Sequence, residues 1–221
     1  VVGQRDSNHH SYLLNEDLGL FLVADGVGGN PGGDIASELT CQVINRRVAD
    51  GTGLRTAIQA ADTSVRDAGL QYGRLGMAST IVALLVRPPE FRLAWVGDSR
   101  GYLFDDRLNQ LTRDHTYVQE MLDSGAISTD EAEANPGRGI LTQAVGALGE
   151  PPRVGYTEGS IKPGQTFLLC TDGLWDVLDS SAIANALSAK ASTDAIAGAL
   201  ISDALAGDTA DNCTVLVLRI E

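Results

Sequence analysis

The sequence predicts an α+β fold in which two β-sheets pack together with pairs of helices outside them. Two observations lead there. The apolar patterns run strands, two helices, strands, two helices, strand. Alternating strand–helix units, the mark of a doubly wound parallel sheet, are absent. Two packed sheets with helix pairs outside would bury this order of elements.

Each element has its own signature. Ser11 to Leu14 and Leu20 to Ala24 are short apolar runs separated by the turn Asn15-Glu16-Asp17. A glycine-rich break, Gly26 to Gly33, precedes a helix from about Asp34 to Val48, with Ile35, Leu39, Val43 and Val48 on one face. A second helix from about Leu54 to Ala68 carries the stripe Ala57, Ile58, Ala61 and Val65. Thr80 to Val86 is a continuous apolar strand, and Phe91, Leu93 and Trp95 alternate as a half-buried strand does. Gly101 to Phe104 and Leu108 to Leu111 form a hairpin through Asp105-Asp106-Arg107. Val118, Met121 and Leu122 mark a short helix, and Ser128 with Glu131 a capping box that opens another. Asn135-Pro136-Gly137 ends it, so this stretch is a helical insertion of the kind that makes a lid. Strand returns at Thr166 to Cys170. Helices follow near Ser181 to Ala189 and Thr193 to Leu205, and Cys213 to Ile220 is the last strand.

Composition narrows the function. The 221 residues carry 29 acidic and 16 basic side chains, a formal net charge of −13. A phosphate-backbone binder needs a basic surface, so nucleic acid is excluded as a general partner, and an anionic membrane surface would repel the chain. With 43% hydrophobic residues, the chain has the composition of a packed domain. Cys41, Cys170 and Cys213 are odd in number and form no CxxC pair. A disulfide framework or structural zinc site is not expected, and a reducing, cytoplasmic location is. No apolar run reaches the ~18–20 residues of a membrane span.

The acids include 20 Asp, a residue at home in turns and helix caps. Three of them share a sharper context. Asp25 closes Leu20 to Ala24 and precedes Gly26; Asp172 closes Phe167 to Thr171 and precedes Gly173; Asp98 follows Ala94 to Gly97. Asp211 stands just before the last strand. Strand ends are rigid, and a following glycine admits backbone close to a ligand. Carboxylates gathered at sheet ends repel one another unless a cation neutralises them. Spacing alone leaves open whether each aspartate only caps a turn.

The segment Val23-Ala24-Asp25-Gly26-Val27-Gly28-Gly29 resembles the VADGMGG motif of bacterial 2C-type protein phosphatases, the metal-dependent PPM family. Five more segments resemble the family's motifs in its order: Gly76 to Thr80, Val96 to Arg100, Leu111 to Thr116, Cys170 to Leu174 and Asp211 to Val215. Together they span nearly the whole chain. The resemblance implies a four-layer αββα sandwich, two central antiparallel sheets flanked by helix pairs, as one catalytic domain over residues 1–221 with a flap at about 117–150. It implies hydrolysis of phosphoserine and phosphothreonine in proteins, opposing a serine/threonine kinase, by a water activated between two Mn²⁺ or Mg²⁺ ions, with a third ion in some members. Asp25 would bridge two ions and the Gly26 carbonyl would face the second. Asp172 and Asp211 would complete the first ion's shell, and Asp98 would hold the third. Arg5 would bind the phosphate, and Arg138 would touch substrate from the flap. No apolar helix face demands a dimer, so a monomer is expected.

Three departures from the family pattern follow. Where relatives read Arg-x-x-Asn-Glu-Asp, this chain reads Arg5 to His10, so His9 and His10 stand at the acidic positions. Either the second-ion site is weakened or retuned by an imidazole, or the pair are surface histidines of little effect. A weakened site admits an alternative function, a pseudophosphatase that binds phosphoproteins without turnover. Asn30 replaces a histidine that could protonate the leaving group, which leaves His115 as the remaining motif histidine. Trp95 and Trp175 read as core or sheet residues.

Overall fold

The computed structural model describes residues 1–5, 7–28 and 32–221, and the side chains of these except that of Glu133. Asp6, Gly29, Asn30 and Pro31 lie outside the described residues, so the expectation at Asn30 is not addressed.

The longest apolar runs become strands buried on both faces. In β2 (Leu20–Asp25), Leu20, Leu22 and Ala24 face outward to helices, while Phe21 and Val23 face the second sheet. β2 pairs antiparallel with β1 (His10–Asn15) and with β3 (Ile81–Arg87), and β3 pairs with β4 (Glu90–Val96). Against the outer face lie α1 (Gly33–Ala49) and α2 (Leu54–Gln71), whose stripe Ala57, Ile58, Ala61 and Val65 is fully buried.

The second sheet has four strands in the order β6-β5-β8-β9, all antiparallel: β5 (Arg100–Asp105), β6 (Arg107–Gln110), β8 (Thr166–Cys170) and β9 (Val215–Arg219). The β5–β6 hairpin turns at Asp106, whose φ of 60° is one that Asp tolerates better than most residues. Its outer face is covered by α6 (Ser180–Leu187) and α7 (Thr193–Ala206), through Ile183, Leu187, Ile196 and Leu200. Between the sheets, Phe91 and Phe167 meet edge to face at 5.0 Å. Phe167 is fully buried, and its truncation to alanine would cost about 3–5 kcal/mol. The two sheets and two outer helix pairs are the four layers expected.

Two elements were not foreseen. β7 (Gly155–Ser160) adds a fifth strand to the first sheet, beside β4. Its glycines hide it: a β-carbon on Gly155 would overlap the Trp95 ring, and one on Gly159 would press on Phe91. The strand exists because β4 puts aromatics there, and those same aromatics strip it of strand-like residues. The other is α5 (Asp172–Trp175), a single turn directly after β8.

The insertion holds α3 (Tyr117–Asp123), capped by Thr116, and α4 (Thr129–Glu133), opened by the Ser128–Glu131 capping box. Its base closes earlier than residue 150. Thr116 bridges Leu141, the Tyr117 N–H donates to the Ile140 carbonyl at 2.9 Å, and the Thr142 N–H donates to the His115 carbonyl at 2.9 Å. Beyond this base, Val145 bridges Ser79, and Gly146, Gly149 and Glu150 are held by Asp62 and Arg66 of α2.

Candidate active site at the ends of both sheets

Asp25 ends β2, Asp98 lies in the turn between β4 and β5, Asp172 begins α5 after β8, and Asp211 precedes β9. All four line one cleft of about 590 Å³, with Arg5, His9, Gly26 and, from the base of the insertion, Gly139 and Leu141. Four strand ends from two sheets thus deliver four carboxylates to one place.

The backbones of Asp25 and Asp98 are held by contacts far away in sequence. The Asp25 N–H donates to Thr80 Oγ1, and its carbonyl accepts from the Thr80 N–H at 2.7 Å and the Ser79 hydroxyl at 3.0 Å. The Thr80 hydroxyl lies 2.7 Å from that of Ser99, which couples the Asp25 and Asp98 turns. Gly26 must be glycine, since a β-carbon would overlap the Gly33 carbonyl at the start of α1. Gly173 likewise abuts the Asn212 carbonyl.

Charge is concentrated here. Asp98 is 4% exposed, and burial, then the charges of Asp25 and Asp114, push its carboxyl up to about 8. Burial, then Asp25, Asp98 and Asp211, raise Asp172 well above the ordinary carboxylate value. Burial also opposes ionisation of Asp211, but hydrogen bonds from Arg5 and the Asn212 N–H overcome it and hold Asp211 low. Arg5 grips Asp211 with two bonds, Nε to Oδ1 at 3.0 Å and Nη2 to Oδ2 at 2.6 Å. That planar fork equally fits two phosphoryl oxygens.

The donor set suits hard divalent cations. Asp172 Oδ1 is buried without a hydrogen-bond partner, which is costly unless a cation satisfies it. Among the described residues, no three His, Cys, Asp or Glu side chains stand close enough together to hold a metal ion by themselves. An open cleft with spread carboxylates matches ions that keep water and substrate oxygens in their shells.

His10 opens β1 opposite Asp25. Its side chain is 1% exposed, with Nε2 3.0 Å from Asp25 Oδ1. A surface role for it is therefore corrected: pairing with β2 buries His10 against Asp25, behind the residues that line the cleft and beside a separate groove bordered by Asn8 and Thr214. His9 is partly exposed at the cleft, with Nε2 2.8 Å from the Ser7 hydroxyl, and its carbonyl accepts from the Gly26 N–H. His115 does not line the cleft. Its Nδ1 accepts from the Gly97 N–H at 3.2 Å, its ring stacks on Trp95, and burial, then Arg153, lower its pKa. It shapes the turn before Asp98. Arg138 also lies outside the carboxylate cleft, in a neighbouring one of about 570 Å³, paired with Asp176 at 3.1 Å.

Sequence reasoning passed over Asn212 and Ser79, and read Trp175 only as a core or sheet residue. Asn212 accepts from the His9 N–H and donates to the Val2 and Ser7 carbonyls, which ties the Arg5 segment to Asp211. Ser79 braces Asp25. Trp175 donates to the Asp98 carbonyl and carries Arg100 over its ring at 3.7 Å, while Arg100 chelates Asp114. Each lies inside or beside a motif segment, which was the available signal.

Comparison with known proteins agrees with this geometry. The family model of protein phosphatase 2C matches residues 4–207. The serine/threonine phosphatase stp of Listeria innocua is 33% identical over 211 residues, which is 90% of this chain and 83% of that protein. The solved structure of PppA, described as a regulatory component of the type VI secretion system in Pseudomonas aeruginosa, superposes with a TM-score of 0.86 at 33% identity, covering 99% of this chain and 94% of that one. The catalytic domain of the serine/threonine protein phosphatase PstP, solved with two manganese ions, superposes with a TM-score of 0.86 at 30% identity, covering 100% and 96%. On sequence, fold and cleft alike, the chain belongs to the protein phosphatase 2C family.

Proposed function

We propose that the four-aspartate cleft is the catalytic centre of a metal-dependent protein serine/threonine phosphatase, with phosphoproteins as substrates and a serine/threonine kinase as its opponent. The carrying observation is the convergence of Asp25, Asp98, Asp172 and Asp211 beside Arg5. Asp25, Asp172 and Asp211 would hold two Mn²⁺ or Mg²⁺ ions with the Gly26 carbonyl, and Asp98 would hold a third. When bound, the ions neutralise phosphoryl charge and lower the pKa of water, which supplies the nucleophile.

The protein's own groups do the positioning. Arg5 turns its fork to the phosphoryl oxygens from the cleft wall. Ser79, Thr80 and Ser99 fix the carboxylate-bearing turns. Gly139 and Leu141 bring the base of the insertion to the mouth, where the flanking peptide would pass. The net charge of −13 repels a phosphopeptide at long range, so binding depends on local reversal of sign by cations and Arg5. Phosphoprotein binding without turnover is not favoured, because all four aspartates are present and gathered. Among the described residues no helix is long and apolar enough to cross a membrane. All three cysteines are free and buried, which supports a reducing, cytoplasmic setting. The test is Mn²⁺-titrated release of phosphate from a phosphothreonine peptide. Asp25→Asn and Asp211→Asn should each abolish it, and full turnover in either would sink the assignment.

A further inference from the structure

We propose that His10 Nε2 is a direct ligand of the second cation, beside Asp25, making a mixed nitrogen–oxygen site that selects Mn²⁺ and similar transition ions over Mg²⁺. The inference rests on the reading of the cleft as a two-cation centre. His10 is held rigidly. Its backbone N–H donates to Asn8 Oδ1, its strand position faces Asp25, and its side chain is 1% exposed.

The imidazole has two distinct ends. Nδ1 lies 3.0 Å from the Thr214 hydroxyl. A proton on Nδ1 donated to that hydroxyl leaves the lone pair on Nε2, the arrangement by which outer groups orient metal-bound histidines. Nε2 is buried without a hydrogen-bond partner, although Asp25 Oδ1 stands only 3.0 Å away. An imidazolium paired with Asp25 would align its N–H on that oxygen, and the alignment is missing. Two adjacent ligands, each ~2.1 Å from one octahedral ion, stand about 3.0 Å apart with their lone pairs converging on the ion rather than on each other. The separation and the misalignment both suit an ion shared between the two groups. A neutral imidazole brings one charge less than a carboxylate and a softer donor. Mg²⁺ prefers oxygen, while later divalent ions accept imidazole readily.

The test reads binding rather than turnover. Pulsed electron paramagnetic resonance on the Mn²⁺-loaded whole chain should show coupling to a directly bound imidazole nitrogen, which changes when histidine is labelled with ¹⁵N. The coupling should persist in His9→Gln and vanish in His10→Asp. Calorimetric titration should show the ratio of Mn²⁺ to Mg²⁺ affinity falling by about tenfold or more in His10→Asp. Because the spectrum is taken on the unmodified chain, the proposal stays testable if His10→Asp fails to fold. Mn²⁺ bound in the cleft and lost in Asp25→Asn, with no nitrogen coupling, overturns the His10 ligand and leaves the two-cation reading standing. Coupling lost in His9→Gln instead also overturns it. No Mn²⁺ bound at all overturns both.

Discussion

The indole N–H of Trp175 donates to the backbone carbonyl of Asp98 at 3.1 Å. The turn that carries one of the four cleft carboxylates is thus held by the end of α5, 77 residues away, and the same ring supports Arg100. Trp175→Phe keeps the aromatic face for Arg100 and removes only the donor. It should cost about 1 kcal/mol by urea unfolding and weaken cation binding at Asp98, seen as a higher Mn²⁺ concentration at half-maximal activity.

Asp98 makes stability depend on pH in a direction unusual for an aspartate. Its folded pKa is raised from 3.8 to about 8 by burial and neighbouring acids. The folded state therefore holds a proton that the unfolded state releases near pH 4. The contribution of Asp98 to stability is fully present below pH 3.8 and is lost as pH rises toward 8. With a chelator present, Asp98→Asn should flatten this loss relative to the parent. Saturating Mn²⁺ should reverse it, by about 2.7 kcal/mol at 100 times the dissociation constant. Thermal melts across pH 4–8 check both.

Asn212 makes three side-chain hydrogen bonds to the segment that bears Arg5 and His9. In Asn212→Ala, the His9 N–H and two carbonyls lose their partner, at a cost of about 2–4 kcal/mol. In the protein that remains folded, Arg5 is less well aimed. KM for a phosphopeptide should then rise more than kcat falls, and steady-state kinetics in saturating Mn²⁺ measure the split.

Gly155→Ala tests why the fifth strand escaped sequence reading. The added methyl group overlaps the Trp95 ring, so the variant should lose about 1–3 kcal/mol by overpacking. Gly164→Ala, with open space around its β-carbon but a φ of +91°, should lose about 1–2 kcal/mol from backbone strain alone. Paired with Trp95→Leu, the Gly155→Ala penalty should shrink, while the Gly164→Ala penalty should not.

Much of the fold was legible because burial on both faces writes a plain signal. β2, β3 and β8 are unbroken apolar runs, and the capping box at Ser128 fixed the start of α4 to the residue. The site aspartates were legible as strand endings. β7 was not, because its composition answers to the rings of β4 rather than to its own propensity. Asn212 and Ser79 were passed over, and Trp175 was read only as a core or sheet residue, because their work is done on backbone groups distant in sequence. His10 was ambiguous for the same reason, since only the β1–β2 register turns it inward. Arg138 was expected at the substrate and lies instead against Asp176, where α5 presents an exposed acid.

The grip of Arg5 on Asp211 joins positions 206 residues apart. Contacts of such long sequence separation form late in folding, since the chain between them must be ordered first. During synthesis, Arg5 is made 206 residues before the acid that it grips. A chain that stops short of Asp211, however well its first sheet has formed, holds half the cleft and leaves Arg5 without its partner.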